Sequence, residues 1–199
     1  MRIGVDIDGV LRDFIGALTA QYKKDFPDHK VNPITRWDLH PFFPIGEGIY
    51  DYVFNTRPKE IFEFGNPYPR ALSAMLALTG RGHEIIYITA QSRGREVYTL
   101  KWLLTHDFPY SGLFFTEAWK GAIDCDIFIE DNPNNIKTLQ AANKRVFCYR
   151  QSYNKTVDCP SVSTLEEFVG MVDWINNGHE QSKDGENAQK APRLDCASS

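Results

Sequence analysis

The apolar positions of this chain fall into two rhythms. Five short runs are rich in Val, Ile, Phe and Tyr: "RIGVDI" (2–7), "EIIYIT" (84–89), "LFFT" (113–116), "DIFIE" (126–130) and "RVFCY" (145–149). Most are apolar on both faces, as parallel strands covered by helices on each side would be. Helical stretches lie between and after them. One opens near Asp13, and "PRALSAMLALTGRG" starts at Pro69 and stops at Gly80 and Gly82. Residues 93–106 follow a capping Ser92 and place Val97, Leu100 and Leu104 on one face. Asn132-Pro133 opens another helix. A last helix, 165–177, begins at the capping box Thr164…Glu167 and buries Leu165, Phe168, Val169 and Val172. Alternating strands and helices predict an α/β fold, a doubly wound parallel sheet of five strands.

The alternation breaks once. Between the helix near Asp13 and Pro69 lie roughly fifty residues without a strong strand, too many for a crossover loop. They hold several prolines and nine aromatics: Trp37, Phe42, Phe43, Tyr50, Tyr52, Phe54, Phe62, Phe64 and Tyr68. So many rings need a core of their own. The expected organisation is a catalytic core of residues 1–14 and 69–177 and a small, mostly helical cap of residues 15–68. Residues 178–199 are polar, contain no Phe, Trp or Tyr, and are expected to form a disordered tail.

Composition narrows the functions. A chain of 199 residues with 42% apolar residues suits one domain with a small appendage. A net charge of −4 disfavours a nucleic-acid polymer as partner but not a small anion in a locally positive pocket. Cys125, Cys148, Cys159 and Cys196 show neither metal spacing nor disulfide density. No leader and no run of about 20 apolar residues is visible. The expectation is therefore a soluble cytoplasmic protein without a membrane partner, with a homodimer left open.

In a doubly wound sheet, ligands bind beyond the carboxyl ends of the strands. Those ends carry Asp6, Asp8 and Gly9 after the first strand, Thr89 after the second, and Glu130-Asp131 after the fourth, with Lys120 in a neighbouring loop. Clustered carboxylates repel one another and need a cation, and hard oxygen ligands suit Mg²⁺. A metal-bound aspartate can attack phosphorus, and a second carboxylate two residues on can act as general acid and then base. Lys120 and Thr89 would hold the phosphoryl oxygens. Gly9 would let the backbone approach the phosphate, with N–H groups of the following turn binding it.

"DIDGV", the strand-end "ITA", the lone Lys120 and "IEDN", in that order, resemble the four motifs of the haloacid dehalogenase (HAD) superfamily phosphatases. The resemblance implies Asp6 as nucleophile and Asp8 as acid/base. It implies Mg²⁺ held by the Asp6 carboxylate, the Asp8 carbonyl and Asp131, with Glu130 in support of Lys120 or of the metal's water shell. Within the superfamily, "DIDGVLRDF" and "FTEAWKGAIDCDIFIEDNPNN" resemble the 5'(3')-deoxyribonucleotidases, whose phenylalanine at the position of Phe14 faces the substrate. The spacing of Phe14 to Leu18 and Tyr22 suits core packing equally well. Two positions depart from that pattern. Arg12 stands where the family has a small residue, and Ala90-Gln91-Ser92-Arg93 replaces a common Ser-Pro after the threonine. Gly9, Phe14, Ala90 and Arg93 are the candidate substrate contacts.

The expected function is a Mg²⁺-dependent phosphomonoesterase for nucleoside 5'-monophosphates, working through an aspartyl-phosphate. Alternatives are a HAD phosphatase for a sugar phosphate or a polynucleotide end, a phosphomutase, or a non-catalytic phospho-acceptor module. Receiver-like acceptors carry their aspartate on a middle strand and have no large insertion, an order this chain does not follow.

Overall fold

In the computed structural model, residues 1–91, 94–116 and 119–178 are described. Ser92, Arg93 and the tail beyond Gly178 lie outside them. Among the described residues the sheet has six parallel strands: β1 (Arg2–Val5), β2 (Glu84–Thr89), β3 (Gly112–Phe115), β4 (Ile127–Glu130), β5 (Val146–Tyr149) and β6 (Ser161–Val162). Their order is β3-β2-β1-β4-β5-β6. The sheet therefore has one strand more than the five predicted. β6 is two residues long, too short to leave a pattern in the sequence.

The central strands are buried on both faces because side chains alternate and helices cover both sides. Ile3, Val5, Ile85, Tyr87, Ile127 and Ile129 face one cluster with α4 (Ala71–Gly80) and α7 (Leu165–Asn176). Ile86, Ile88 and Phe128 face the other, with Ile136 and Leu139 of α6 (Pro133–Ala141). Gly4 is small for a reason: a Cβ there would lie 2.7 Å from the Phe128 ring.

The helix ends follow their capping residues. Asp13 accepts from the Gly16 N–H at 2.9 Å and starts α1 (Phe14–Asp25). Asn132 accepts from the Asn134 N–H at 2.9 Å, with Pro133 as the first helical residue of α6. Thr164 accepts from the Glu167 N–H at 3.2 Å, while Glu167 reaches back to the Ser163 N–H at 2.6 Å.

The expected apolar face of the helix near 93–106 is wrong. α5 spans Glu96–Thr105 and buries Thr99, Trp102 and Leu103, whereas Val97, Leu100 and Leu104 are 46%, 41% and 67% exposed. Trp102 offers the largest ring on the helix and turns inward, which swings the aliphatic stripe to solvent.

Between β1 and α4 the chain forms α1, a 3-10 turn His40–Phe42, α2 (Gly48–Asp51), a π-helical turn Tyr52–Thr56 and α3 (Pro58–Phe62). Leu18, Tyr22, Phe42, Phe43, Ile49, Tyr52, Val53, Ile61 and Phe62 belong to a core cluster of their own. Tyr22 is its hub, edge-on to Phe43 at 5.0 Å and to Tyr52 at 5.4 Å. Asp25 pins the end of α1 to the π-helical turn, accepting from the Tyr52 hydroxyl at 2.9 Å and from Arg57 Nε at 2.6 Å. No helix among the described residues is long and apolar enough to cross a membrane.

Candidate active site

The strand order sets β1 between β2 and β4, so the residues leaving these three neighbours meet at one rim. Asp6, Asp8, Phe14, Thr89, Ala90, Lys120 and Asp131 line one cavity of about 250 Å³. Of the remaining candidates from the sequence, Gly9 and Glu130 lie just behind this lining, and Arg93 is outside the described residues.

Lys120 is the cation between Asp6 and Glu130. It sits in a short 3-10 turn between β3 and β4, buried, and donates to Asp6 Oδ1 and to Glu130 Oε2, each at 2.7 Å. Burial works against its charge, and the two carboxylates outweigh it, holding its pKa above the ordinary lysine value. Glu130 is saturated with donors. It also accepts from the backbone N–H groups of Asp131 at 3.2 Å and Asn132 at 3.0 Å and from the Asn135 amide at 3.3 Å. Despite burial, Lys120 and these donors pull its pKa below the usual range. Glu130 and Asp6 thus share the Lys120 ammonium between them.

Asp6 and Asp131 shift the opposite way from Glu130. Burial, aided by repulsion from Glu130, pushes Asp6 up to about 8, against the pull of Lys120. Asp131 is raised by burial and by Asp6 and Glu130. One of its oxygens, Oδ2, accepts from the Tyr153 hydroxyl, and its backbone carbonyl accepts from Asn154 at 2.8 Å. The other, Oδ1, is buried and has no hydrogen-bond partner. A carboxylate oxygen left bare inside a protein is costly, and ligand atoms of Asp6, Glu130 and Asp131 lie within 4.8 Å of one another. This donor set fits a hard divalent cation held by Asp6 and Asp131.

Gly9 has φ +85°, and a Cβ on it would lie 2.0 Å from Asp131 Oδ2. It permits the close approach of Asp131 rather than offering N–H groups to a phosphate. Its own N–H donates to the Arg12 carbonyl at 2.9 Å, and those of Leu11 and Arg12 donate to the Ile7 carbonyl at 2.9 Å. The expectation that this turn's N–H groups are free for phosphate is corrected accordingly.

The inserted segment supplies the other wall of the cavity: Ile15, Trp37, Leu39, Tyr50, Phe54 and Phe62. Phe62 is stacked between Phe14 at 5.8 Å and Phe54 at 6.0 Å, so Phe14 both packs and faces the cavity. Arg95, just before α5, turns to the insertion and donates to the Phe54 carbonyl at 2.7 Å. Gln91 and Tyr153 also line the cavity and were missed in the sequence. Neither stands in a periodic element, although Tyr153 follows β5 at the same rim, where a search of strand ends would have met it.

A family model described as "5' nucleotidase, deoxy (Pyrimidine), cytosolic type C protein" matches residues 1–175. The chain belongs to this family. It is therefore a nucleotidase-type phosphoric monoester hydrolase. A protein of Oceanobacillus iheyensis with the provisional name nucleotidase is 27% identical over 187 residues, 87% of this chain and 95% of its own. One of Chlorobaculum tepidum, provisionally named 5'(3')-deoxyribonucleotidase, is 26% identical over 180 residues, 85% of this chain and 89% of its own. Among solved structures, a HAD family hydrolase from Deinococcus radiodurans R1 with bound phosphate and sodium superposes with a TM-score of 0.59. It is 14% identical over 88% of this chain and 96% of that one. An L-2-haloacid dehalogenase from Xanthobacter autotrophicus gives 0.57, at 9% identity over 86% and 98%. These structural likenesses show a HAD-like fold.

Proposed function

We propose that this nucleotidase hydrolyses nucleoside 5'-monophosphates with Mg²⁺ through a phosphorylated Asp6. The observation that carries the reading is the pairing of a buried, lysine-held carboxylate with a bare buried oxygen on Asp131 at the foot of an aromatic cleft.

Asp6 and Asp131, with the Asp8 backbone carbonyl, would hold the ion. When bound, it offsets the crowding of the carboxylates and neutralises charge on the phosphoryl oxygens. Asp6 attacks phosphorus; the bond from phosphorus to the ester oxygen breaks, its electron pair stays on that oxygen, and Asp8 gives it a proton. Asp8 then takes a proton from the water that attacks the phosphoryl group, and Asp6 is released as a carboxylate. Lys120 and the Thr89 hydroxyl, both buried at the cleft floor, bind the remaining phosphoryl oxygens. The inserted helices act as a cap. Phe14, Phe54 and Phe62, with Trp37 and Tyr50 at the mouth, give the base flat apolar surfaces, and stacking on such rings is worth about 1–3 kcal/mol per base.

The test is release of inorganic phosphate, with Mg²⁺, from a panel of ribo- and deoxynucleoside monophosphates and sugar phosphates, with Asp6→Asn as blank. Selective turnover of a nucleotide supports the reading and names base and sugar together. Turnover of sugar phosphates alone, or none at all, defeats it.

A further inference from the structure

Arg12 is a buried charge that this chemistry does not use. It has no solvent exposure, and its guanidinium lies 5.3 Å from the Phe62 ring centre and 5.0 Å from that of Trp102. A cation in such a place is destabilising unless its donors are met. They are met in a particular way. Arg12 Nε donates to Asp8 Oδ1 at 2.7 Å, Nη2 donates to the Thr99 hydroxyl at 3.0 Å, and Nη1 donates to the Phe62 carbonyl. The Thr99 hydroxyl donates to Gln91 Oε1 at 2.8 Å, and Gln91 Nε2 donates to Asp8 Oδ2 at 3.1 Å. The ring closes on itself. Followed outward from Arg12, every donor of the ring leads to Asp8, while Nη1 leaves the ring for the Phe62 carbonyl. Both carboxylate oxygens therefore receive a hydrogen bond, and the polarity of each ring member is fixed.

The two ring members that touch Asp8 are Arg12 and Gln91. Both also bond to the Thr99 hydroxyl on α5. The Phe62 carbonyl is the last of α3 and its ring lines the cleft, so the same guanidinium touches the acid/base group and the inserted helices.

We propose that Arg12 is a positioning residue for Asp8, one that fixes the carboxylate against the ester oxygen and ties that placement to the inserted helices. This rests on the reading of Asp8 as acid/base. Proton transfer requires the carboxylate within hydrogen-bond reach of the leaving oxygen. Asp8, its side chain 21% exposed at the cleft, would have several rotamers open to it without the ring. A lone pair on each Asp8 oxygen stays free to carry the transferred proton.

The experiment compares two esters of one nucleoside: the 5'-monophosphate, whose alkoxide leaves only with a proton, and its analogue with sulfur bridging to phosphorus, whose thiolate leaves without one. Release of alcohol or thiol is followed in a single turnover with Mg²⁺ for the wild type, Arg12→Met, Thr99→Val and Asp8→Asn. Thr99→Val keeps size and shape, and its thermal melt shows whether the fold is intact. The expected result is an oxygen-ester rate lowered about 10–100-fold in Arg12→Met and Thr99→Val, a part of the about 10²–10⁴-fold that general acid catalysis contributes in full. KM and the sulfur-ester rate should stay within about threefold of wild type. Equal losses on both esters, or no loss in Thr99→Val, overturn the proposal. Asp8→Asn separates the two readings: if it spares the oxygen ester, the acid/base role of Asp8 fails. If it shows the selective loss and the ring variants do not, only the positioning role of Arg12 fails.

Discussion

Replacing Gly9 by alanine tests the close approach on which the site depends. The residue has φ +85°, a conformation that costs an L residue about 1–2 kcal/mol. The added Cβ would also stand 2.0 Å from Asp131 Oδ2 and 2.7 Å from the Tyr153 hydroxyl. Real Cβ atoms essentially never approach so closely, so the Asp131 carboxylate and the Tyr153 hydroxyl must both shift. The carboxylate must leave its rotamer and its bond to Tyr153, each worth about 1 kcal/mol. The whole change amounts to about 2–5 kcal/mol, a fall in melting temperature of about 5–15 °C for a domain of this size. Gly82→Ala is the control: its φ is +81°, but nothing lies within 4 Å of its Cβ, so it isolates the backbone part. Urea unfolding of both variants gives the difference directly, and magnesium titration of activity gives the functional half. Gly9→Ala should be clearly less stable than Gly82→Ala and should need more Mg²⁺. Equal stability, with unchanged magnesium response, would refute the packing of Gly9 against Asp131.

Three further outcomes are expected. Lys120→Met leaves Asp6 and Glu130 buried without their cation, so urea unfolding should show a loss of about 3–5 kcal/mol, and phosphate release should stop. Adding Glu130→Gln to it should restore part of the stability but none of the activity. Chelation by EDTA should abolish phosphate release, and excess Mg²⁺ should restore it. Burial acts to raise Asp25, but hydrogen bonds from Arg57 and Tyr52 outweigh it, so its pKa lies below the ordinary value of 3.8. A lowered carboxylate pKa adds stability above its unfolded value and loses it as pH falls through the folded one. Asp25→Asn should therefore melt below wild type at about pH 7, with the gap closing towards pH 3.

The parts of this molecule legible in its sequence are those where local chemistry and burial agree. Acidic residues at the ends of apolar runs, as in Asp6-Ile7-Asp8 and Glu130-Asp131, contradict the local pattern and draw attention for that reason. Caps such as Asp13, Asn132 and Thr164 acted as written because each satisfies donors within three residues of itself. What was not legible depends on distant partners. α5 carries an aliphatic stripe as regular as any core helix, and only the packing of Trp102 and the polar use of Thr99 turn that stripe outward. Arg12 follows an apolar pair in a turn, where an arginine is ordinarily at the surface. Its burial depends on Asp8, Phe62, Thr99 and Trp102, three of them at least fifty positions away. Tyr153 and Gln91 stand in loops, where no periodicity marks a side chain as inward. The nine aromatics of the insertion announced a core, but which rings face the cleft is decided by how short helices cross.

In the proposed reaction Asp6 carries the phosphoryl group. The most direct test of this role is to quench the enzyme in acid during turnover of a nucleotide found in the substrate panel and to locate the phosphoryl group by mass spectrometry of the peptides. One phosphoryl group is expected on the peptide containing Asp6, lost in Asp6→Asn together with turnover. A phosphoryl group on another residue, or full turnover in Asp6→Asn, would contradict the proposed reaction.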